Sequence, residues 1–401
     1  MARLIFIHLH QGRLYFSGYN PSPPRTRLFS WAEGEALPTS HSFTTNKSGT
    51  TDNPHNLISM SDKLFFSALN RSSESGVGEY TKIFSFDFDS NQLLQRVNTS
   101  GSQTISDAPV LCASYNNKLF FIARNSSGGR KLYSFADSTD TLTQVSNTRS
   151  NNSENDLVEQ CQVLGDQLYF RATNSSGAVK LYAYNDTTLE LKEISNTSED
   201  SSLSDNPDHL MLYENQLYFS AQNSGGITKL YRFDGEKIFL ASDTSGSALT
   251  SDDPAPKFGF NGQVYFYALN PEGARKLFAL NNQTGAVHQV SNTGKDQGLD
   301  DFPNSNYGYF AAYNEKIYFW ARNHVNVNKL FVYDPITHQL AQAANTRQDN
   351  SLEDSTVQDS GIFPGGHGGQ MLIVNDQLYF KSKNAQGGTK LFALCDEELG
   401  C

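Results

Sequence analysis

One phrase of sequence returns eight times along the chain. It is an aliphatic residue and two aromatic residues, followed after a short interval by Asn, and the aliphatic residues that open its copies are Leu14, Leu64, Leu119, Leu168, Leu217, Val264, Ile317 and Leu378. The copies recur at roughly 50 residues, a period typical of repeat architectures that stack one supersecondary unit on the next. The 401 residues are therefore predicted to form one array of repeats rather than two or three unrelated domains.

Each repeat contains the pattern of several short strands. In the phrase itself, alternation places the aliphatic residue, the second aromatic and a small residue such as Ala123 on one face of a strand that ends in an Asn-led turn. After a hairpin rich in Ser, Gly and Asn, a basic residue followed by an apolar one opens the next strand. These basic residues are Arg27, Lys82, Lys131, Lys180, Lys229, Lys276, Lys329 and Lys390.

The rest of each repeat adds two strands. One ends in a polar signature such as Ser146-Asn147-Thr148, and after a loop closed by Asp an apolar segment such as residues 57–60 leads into the next phrase. Four antiparallel strands in each repeat, without helical periodicity, predict an all-β closed β-propeller of about eight blades. An open solenoid is disfavoured because a ring leaves no exposed end faces. Seven blades with one displaced unit is the alternative count.

The predicted propeller is a single domain that spans residues 1–401. Its repeat units are expected at residues 1–52, 53–107, 108–156, 157–205, 206–252, 253–301, 302–362 and 363–401. The last unit ends just after Lys390-Leu391 and so lacks the strand that carries the polar signature. Either the last blade has three strands, or the N-terminal strand crosses over to complete a blade.

The order of segments within the repeat resembles a known repeat family. An apolar strand, a Leu-Tyr-Phe-x-Ala strand, a Gly-containing hairpin and a Lys-Leu-Tyr strand resemble the hyalin-like repeats with the ELWxTDGT consensus, and Asp234-Gly235 matches the Asp-Gly of that consensus. Lys or Arg stands where that family has Glu. The resemblance implies a propeller that is secreted or displayed on a bacterial surface.

Net charge and hydropathy limit the classes of partner that this chain is expected to bind. The formal net charge of −11 would repel the phosphates of nucleic acids and anionic lipid headgroups, so neither is expected to bind. No apolar run approaches the roughly 20 residues of a membrane helix, so no membrane insertion is expected. The N-terminal segment lacks the pattern of a signal peptide. An extracellular or cell-surface location is expected nevertheless, with a cytoplasmic one left open.

The chain has four cysteines, too few for a disulfide scaffold. Cys112 and Cys161 each precede the phrase of their repeat by seven residues, so they are expected on matching strands of neighbouring blades. Equivalent atoms of adjacent blades are usually too far apart to bridge, which favours two buried thiols. Cys395 and Cys401 are expected as a free pair, with a bridge between them as the alternative.

One Asp closes the loop of most repeats. The set is Asp52, Asp107, Asp156, Asp205, Asp252 and Asp301. The favoured interpretation is structural: each carboxylate caps its turn through backbone amides and pairs with a basic residue across blades. The alternative is a ring of calcium ligands, although calcium needs six or more oxygens at each ion. No other cofactor is expected.

The residue that follows the phrase varies from repeat to repeat. It is Ser17, Ser67, Ile122, Arg171, Ser220, Tyr267, Trp320 or Lys381. Trp320, Arg322 and Tyr267 would form an aromatic and cationic binding patch if exposed, and burial between blades is the alternative. His367, within a glycine-rich segment, is a further candidate ligand-binding residue.

These patterns favour a binding function over catalysis, since no nucleophile elbow, phosphate loop or zinc-protease motif is present. We expect a lectin-like or adhesin-like module that recognises glycans or a surface protein through one face of the ring and the clefts between blades. One alternative is a polysaccharide lyase or hydrolase in which His367, Asp300 and Asp301 converge. The other is a structural subunit of a larger assembly.

Overall fold

The computed structural model describes residues 5–21, 24–41, 44, 51–70, 80–302, 310–355, 371–374 and 376–394. The ordered elements within these residues are β-strands. No helix in the described ranges is long and apolar enough to cross a membrane. The strands form eight antiparallel sheets, and each sheet uses strands that are consecutive in sequence.

Sheets 1–4 belong to the first half of the chain. Sheet 1 contains β1 (Ile5–His10), β2 (Arg13–Pro21), β3 (Pro24–Ala32) and β4 (Thr39–Ser40). Sheet 2 contains β5 (His55–Met60), β6 (Lys63–Asn70), β7 (Tyr80–Asp87) and β8 (Leu93–Val97). Sheet 3 contains β9 (Val110–Tyr115), β10 (Lys118–Arg124), β11 (Arg130–Ala136) and β12 (Thr141–Gln144). Sheet 4 contains β13 (Glu159–Leu164), β14 (Gln167–Thr173), β15 (Val179–Asn185) and β16 (Glu190–Glu193).

Sheets 5–8 belong to the second half. Sheet 5 contains β17 (Asp208–Tyr213), β18 (Gln216–Gln222), β19 (Thr228–Phe233) and β20 (Ile238–Ser242). Sheet 6 contains β21 (Ala255–Phe260), β22 (Gln263–Leu269), β23 (Arg275–Asn281) and β24 (Val287–Gln289). Sheet 7 contains β25 (Phe310–Tyr313), β26 (Lys316–Arg322), β27 (Asn328–Asp334) and β28 (Gln339–Ala344). Sheet 8 contains β29 (Met371–Val374), β30 (Gln377–Lys383) and β31 (Thr389–Ala393).

The chain comprises two compact units. Unit 1 is residues 1–196 with 200–205, and unit 2 is residues 197–199 with 206–401. Sheets 1–4 lie in unit 1 and sheets 5–8 in unit 2. In the described part of the chain, sheet 8 has three strands, and β1 pairs with β2 inside sheet 1. Of the two expectations for the last repeat, the structure shows the three-stranded sheet.

In sheets 2–7 the second strand is buried along most of both faces, as sheet 3 illustrates. Leu119, Phe121 and Ala123 pack in one cluster with residues of sheet 2. Phe120 and Ile122, which alternate with them along β10, pack in another cluster with residues of sheet 4. The prediction that the aliphatic residue, the second aromatic and the small residue share a face is confirmed. The variable residue after the phrase therefore faces the next sheet.

Hydrogen bonds join neighbouring repeats in the part of the chain that the structure describes. The hydroxyl of Thr148 in the polar signature donates to the carbonyl of Thr173 at the end of β14 (2.6 Å), and the amide of Thr173 donates to the carbonyl of Asp156 (2.7 Å). The same hydroxyl contact recurs at Thr44, Thr99, Thr197, Thr244, Thr293 and Thr346. The acceptor is a backbone carbonyl each time, so the joint does not depend on the acceptor's side chain.

A half-buried histidine in unit 1 predicts that the stability of this unit depends on pH. The ring of His41 packs 4.4 Å from that of Phe86, and burial lowers the pKa of His41 to about 4. A histidine in the unfolded chain has a pKa near 6.5, so the unfolded state takes up a proton between about pH 6.5 and pH 4 while the folded state stays neutral. Stability conferred by neutral His41 is complete above that range and falls with pH inside it.

We expect the thermal midpoint of unit 1 to decrease when the pH is lowered from about 7 to 5. In His41→Phe the decrease should be smaller, and scanning calorimetry measures both. The exposed His324 provides the control, since His324→Phe should keep the wild-type pH dependence. Identical pH dependence in wild type and His41→Phe would contradict the assignment.

Candidate functional site: a cleft between sheets 3 and 4

The loop aspartates form buried ion pairs with lysines of their own repeats. We call each pair a latch; the pairs are Lys82–Asp107, Lys131–Asp156, Lys180–Asp205, Lys229–Asp252, Lys276–Asp301 and Lys329–Asp354. Both partners are buried in every latch. Asp354 was missed by the sequence analysis. The pairs form within a repeat, not across blades as expected.

The latch in sheet 3 shows how each carboxylate is used. Asp156 accepts hydrogen bonds from Lys131 Nζ (2.7 Å) and from the hydroxyl of Ser146 (2.6 Å). The same ammonium also donates to Asn147 Oδ1 (2.9 Å) and to the carbonyl of Asn151 (2.9 Å), so it closes the whole loop. In sheet 2, Asp107 also accepts from backbone amides of its own loop, as predicted for turn capping.

The calcium prediction concerns this same set of carboxylates. All six, Asp52, Asp107, Asp156, Asp205, Asp252 and Asp301, are buried, and all but Asp52 belong to the latches above. Across the described ranges, no group of three or more His, Cys, Asp or Glu side chains is placed to hold a metal ion. Calcium binding by these residues stays a prediction, and it would require displacing the ammonium groups.

The residues predicted as an aromatic binding patch lie mainly inside unit 2. The ring of Tyr267 is buried, with its centroid 4.2 Å from that of Phe302. Trp320 is 4% exposed and packs at a steep angle against Phe380. Arg322 is half-buried, and His367 lies outside the described residues. Neither aromatic ring offers a face to solvent.

The two acidic residues of the enzyme hypothesis have different surroundings. Asp301 is buried in the latch with Lys276 (3.2 Å), whereas Asp300 Oδ1 accepts a hydrogen bond from the backbone amide of Arg275 (2.6 Å). The third residue, His367, is outside the described part of the chain. Asp301 is thus committed to an ammonium group and not open to a substrate.

Cys112 and Cys161 form a disulfide with a Cα–Cα distance of 5.6 Å, so the expectation of two thiols is wrong. The reason is local. The first strands of neighbouring sheets, β9 and β13, pack beside each other, and each cysteine lies at a β-bulge where the register with the second strand shifts. A bulge re-aims side chains, which brings the two sulfurs together. Cys395 and Cys401 lie outside the described residues.

The disulfide forms part of the wall of an open cleft between sheets 3 and 4. The cleft has a volume of about 430 Å³, within the usual range for ligand pockets. Besides the two cysteines, its lining consists of five apolar and three polar side chains. The apolar ones are Val110, Leu111, Ile122, Leu157 and Val158, and the polar ones are Arg130, Glu159 and Gln160. All of these residues belong to unit 1.

The backbone on both sides of this cleft is unusual. In five repeats the residue after the loop Asp has a positive φ; it is Asn53, Ala108, Leu157, Asn206 or Asp253. Asn and Asp tolerate this left-handed conformation, whereas other side chains meet the following carbonyl, at about 1–2 kcal/mol for each residue. The two repeats that form the cleft have Ala108 and Leu157 there, and Leu157 is 56% exposed.

Charged groups of the cleft are unequally paired. Glu159 forms an ion pair with Arg171 (3.4 Å). The half-buried guanidinium of Arg130 donates to the carbonyl of Ala108 (3.2 Å), and burial, together with the nearby charge of Arg124, lowers the pKa of Arg130. A partly desolvated cation beside another cation favours an anion in the same space.

A second cluster of polar side chains lies on the first strands of sheets 5 and 6. Burial lowers the pKa of His209, and the nearby Asp208 opposes that shift. Burial and the charge of Arg275 lower the pKa of Lys257, whose ammonium lies 5.4 Å from the ring centroid of Tyr267. Asp208 supplies a carboxylate to this cluster, so its cations already have an opposite charge nearby.

The sequence carried one signal for the cleft. The variable position after the phrase contributes Ile122 to its lining and Arg171 to the ion pair at its edge. The sequence analysis singled out Tyr267 and Trp320 at this position because they are aromatic. Leu157, which replaces the Asn or Asp found after the loop Asp in three other repeats, was the more informative residue.

Comparison with known proteins identifies no family. No family model matches the chain, and no curated protein matches its sequence. Among solved structures, the chain is similar to the β-propeller domain of the Trilobed protease from Pyrococcus furiosus, with a TM-score of 0.42 and 10% identity, covering 86% of this chain and 98% of that one.

Two further solved structures show comparable similarity. A puromycin hydrolase gives a TM-score of 0.43 at 10% identity, covering 95% of this chain, and the acylaminoacyl peptidase of Pyrococcus horikoshii gives 0.41 at 9% identity, covering 96%. This chain spans 58% of the length of each of those two chains.

The succession of sheets defines the class of the protein. Within the described residues, seven four-stranded antiparallel meanders and one of three strands follow one another along the chain, each in one repeat. The chain is an all-β protein with the blade organisation of a β-propeller, and this fold prediction is confirmed. Eight sheets agree with the eight copies of the phrase.

Proposed function

We propose that this protein is a non-catalytic recognition module that binds a segment of a partner protein in the cleft between sheets 3 and 4. The observation that carries the proposal is Leu157, a large apolar side chain that is 56% exposed on left-handed backbone at the edge of a cavity of about 430 Å³. A largely apolar cavity of this size with a few polar groups is the usual form of a ligand site, and Leu157 adds exposed apolar surface at the edge of this one.

The lining favours a polypeptide over a glycan. Sugars are commonly bound against exposed aromatic faces, whereas Tyr267 and Trp320 are buried. The cleft instead offers aliphatic walls, a disulfide and the polar side chains of Arg130, Glu159 and Gln160. This combination suits an apolar side chain flanked by a polar or charged group.

The disulfide also supports the expected location. Disulfides persist in oxidising compartments and are rare in the cytosol, where thiols are kept reduced. The bridge between Cys112 and Cys161 therefore supports an extracellular or cell-surface site of action, where a surface protein is the natural partner.

The test uses a random nonapeptide phage library selected on the immobilised full chain. We expect enriched clones to bind Leu157→Asn at least tenfold more weakly than wild type, because the apolar edge of the cleft is lost. The thermal midpoint of the variant should not fall, since Asn53 and Asn206 adopt this backbone conformation in other repeats.

Leu189 provides the matched control. It is also an exposed leucine of unit 1 with a positive φ of 58°, but it lies in the turn between β15 and β16 and does not line the cleft. Leu189→Asn should therefore bind the selected clones as wild type does. Clones that bind wild type and Leu157→Asn equally would contradict the proposal.

A glycan array separates the other expected ligand class. The full chain is applied with calcium and again after chelation, and we expect no binding in either case. Glycan binding that disappears on chelation would support the aspartate ring as a calcium site and would count against the polypeptide proposal.

A further inference from the structure

The repeat supplies an internal comparison for the cleft. When positions are counted from the phrase and from the latch, the residues of sheets 6 and 7 that correspond to Ile122, Leu157, Arg130 and Ala108 are Tyr267, Phe302, Arg275 and Asp253. All four of these counterparts belong to unit 2. The same structural positions can therefore be compared in two chemical versions.

In unit 2 the side chains at these four positions contact one another in pairs. Tyr267 and Phe302 are both buried, with ring centroids 4.2 Å apart. Arg275 Nη1 donates to the carbonyl of Asp253 (3.1 Å), and the same guanidinium forms an ion pair with the Asp253 carboxylate. Aromatic rings and a carboxylate thus occupy these positions together.

The version in unit 1 keeps the arginine but lacks those partners. Arg130 makes the corresponding bond to a backbone carbonyl, that of Ala108 (3.2 Å), but alanine has no carboxylate to add. In the part of the chain that the structure describes, Arg130 forms no ion pair. Ile122 and Leu157 replace the two aromatic rings, and the cleft of about 430 Å³ lies between them.

The charges at the cleft agree with this comparison. Its carboxylate, Glu159, is already paired with Arg171, and Arg124 adds a second positive charge near Arg130. The protein as a whole is acidic, with a formal net charge of −11, whereas Arg130, Arg124 and Arg171 outnumber Glu159 at this place. An incoming carboxylate would pair with Arg130 in a partly desolvated site, where such bonds are strong.

We infer that the cleft binds a polypeptide group in which a carboxylate adjoins an apolar or aromatic side chain. The carboxylate pairs with Arg130 at the position that Asp253 occupies in the other repeat, and the side chain enters the cavity between Ile122 and Leu157. This inference rests on the proposed function and specifies its ligand. The carboxylate comes either from a chain terminus or from an acidic side chain.

The first experiment titrates the full chain with N-acetylphenylalanine and with N-acetylphenylalaninamide, followed by NMR chemical-shift changes. The two probes share the ring and differ in the carboxylate. We expect the acid to bind with a dissociation constant on the order of 1 mM, as its size allows. The amide should bind about tenfold or more weakly, because it loses a charge-assisted bond. Equal affinity of acid and amide would overturn the inference.

The repeat also supplies the variants. Ala108→Asp introduces the carboxylate found at Asp253, which should occupy Arg130 and weaken binding of the acid about tenfold or more. The substitution suits the backbone, since Asp253 has nearly the same φ (47°) as Ala108 (45°). The mirror variant Asp253→Ala is the control and should leave the affinity unchanged. An unaltered affinity in Ala108→Asp would exclude Arg130 as the carboxylate site.

A third probe, N-acetylaspartylphenylalaninamide, carries its carboxylate on a side chain. Tighter binding of this probe assigns the natural ligand to an internal acidic segment, and tighter binding of N-acetylphenylalanine assigns it to a chain terminus. If selected peptides depend on Leu157 but carry no carboxylate requirement, the proposed function stands and this inference falls. If no peptide depends on Leu157, both fall.

Discussion

Lys131→Met is expected to lower the free energy of unfolding of unit 1 by about 3–5 kcal/mol, because Asp156 would remain as an uncompensated buried charge. Both side chains are fully buried, and the Lys131 ammonium holds three different groups of the loop. The loss of this one cation therefore removes an ion pair and the closure of the loop together. Urea denaturation followed by tryptophan and far-ultraviolet signals measures the change.

Lys118→Met is the matched control for this prediction. Lys118 also pairs with an aspartate of unit 1, Asp186 (2.8 Å), but its side chain is 30% exposed. Asp186 is buried, but solvent that reaches Lys118 screens this pair, so the control should lose less free energy of unfolding than Lys131→Met. The double variant Lys131→Met/Asp156→Leu should be more stable than Lys131→Met alone. Equal losses in Lys131→Met and Lys118→Met would show that burial does not decide the strength of the latch.

Cys112→Ala/Cys161→Ala should be the second variant with a large loss of stability. The bridge closes a loop with a sequence separation of 49 residues, and the chain-entropy model gives about 4 kcal/mol for a loop of this size. The bridge also ties β9 to β13, so its loss should loosen the wall of the cleft. The measurement is the denaturation midpoint of unit 1 in the wild type and in the double variant.

Reduction provides a second test of this bridge. Dithiothreitol should lower the midpoint of the wild type to that of the double variant and should leave the double variant unchanged. A wild type that is insensitive to reductant, and as stable as the double variant, would contradict a stabilising bridge.

The fold could be predicted from the sequence because its determinants are local. The alternation along the phrase, the Asn-led turn and the period of the repeat each act over a few residues, and all three predict the same meander. The positions of Leu119 and Phe120 on opposite faces of β10 follow from that alternation alone.

The cleft could not be predicted in the same way, because it depends on distances between repeats. Nothing in one repeat indicates that β9 and β13 lie close enough for Cys112 and Cys161 to bridge. The conformation of Leu157 is also set from outside, since a leucine alone would avoid a positive φ. The aromatic character of Tyr267 did not indicate a binding residue, because its ring packs in the hydrophobic core.

The joints between repeats have a consequence for how such a chain can evolve. Each latch is contained in its own repeat, and each threonine joint ends on a main-chain carbonyl that any amino acid supplies. These two kinds of contact therefore require no matching side chain in a neighbouring repeat when a repeat is copied, lost or exchanged in the gene, unlike the disulfide between Cys112 and Cys161. Residues such as Ala108 and Leu157 are encoded within their own repeats. Recombination between repeats can therefore pair different cleft walls and so produce new binding specificities.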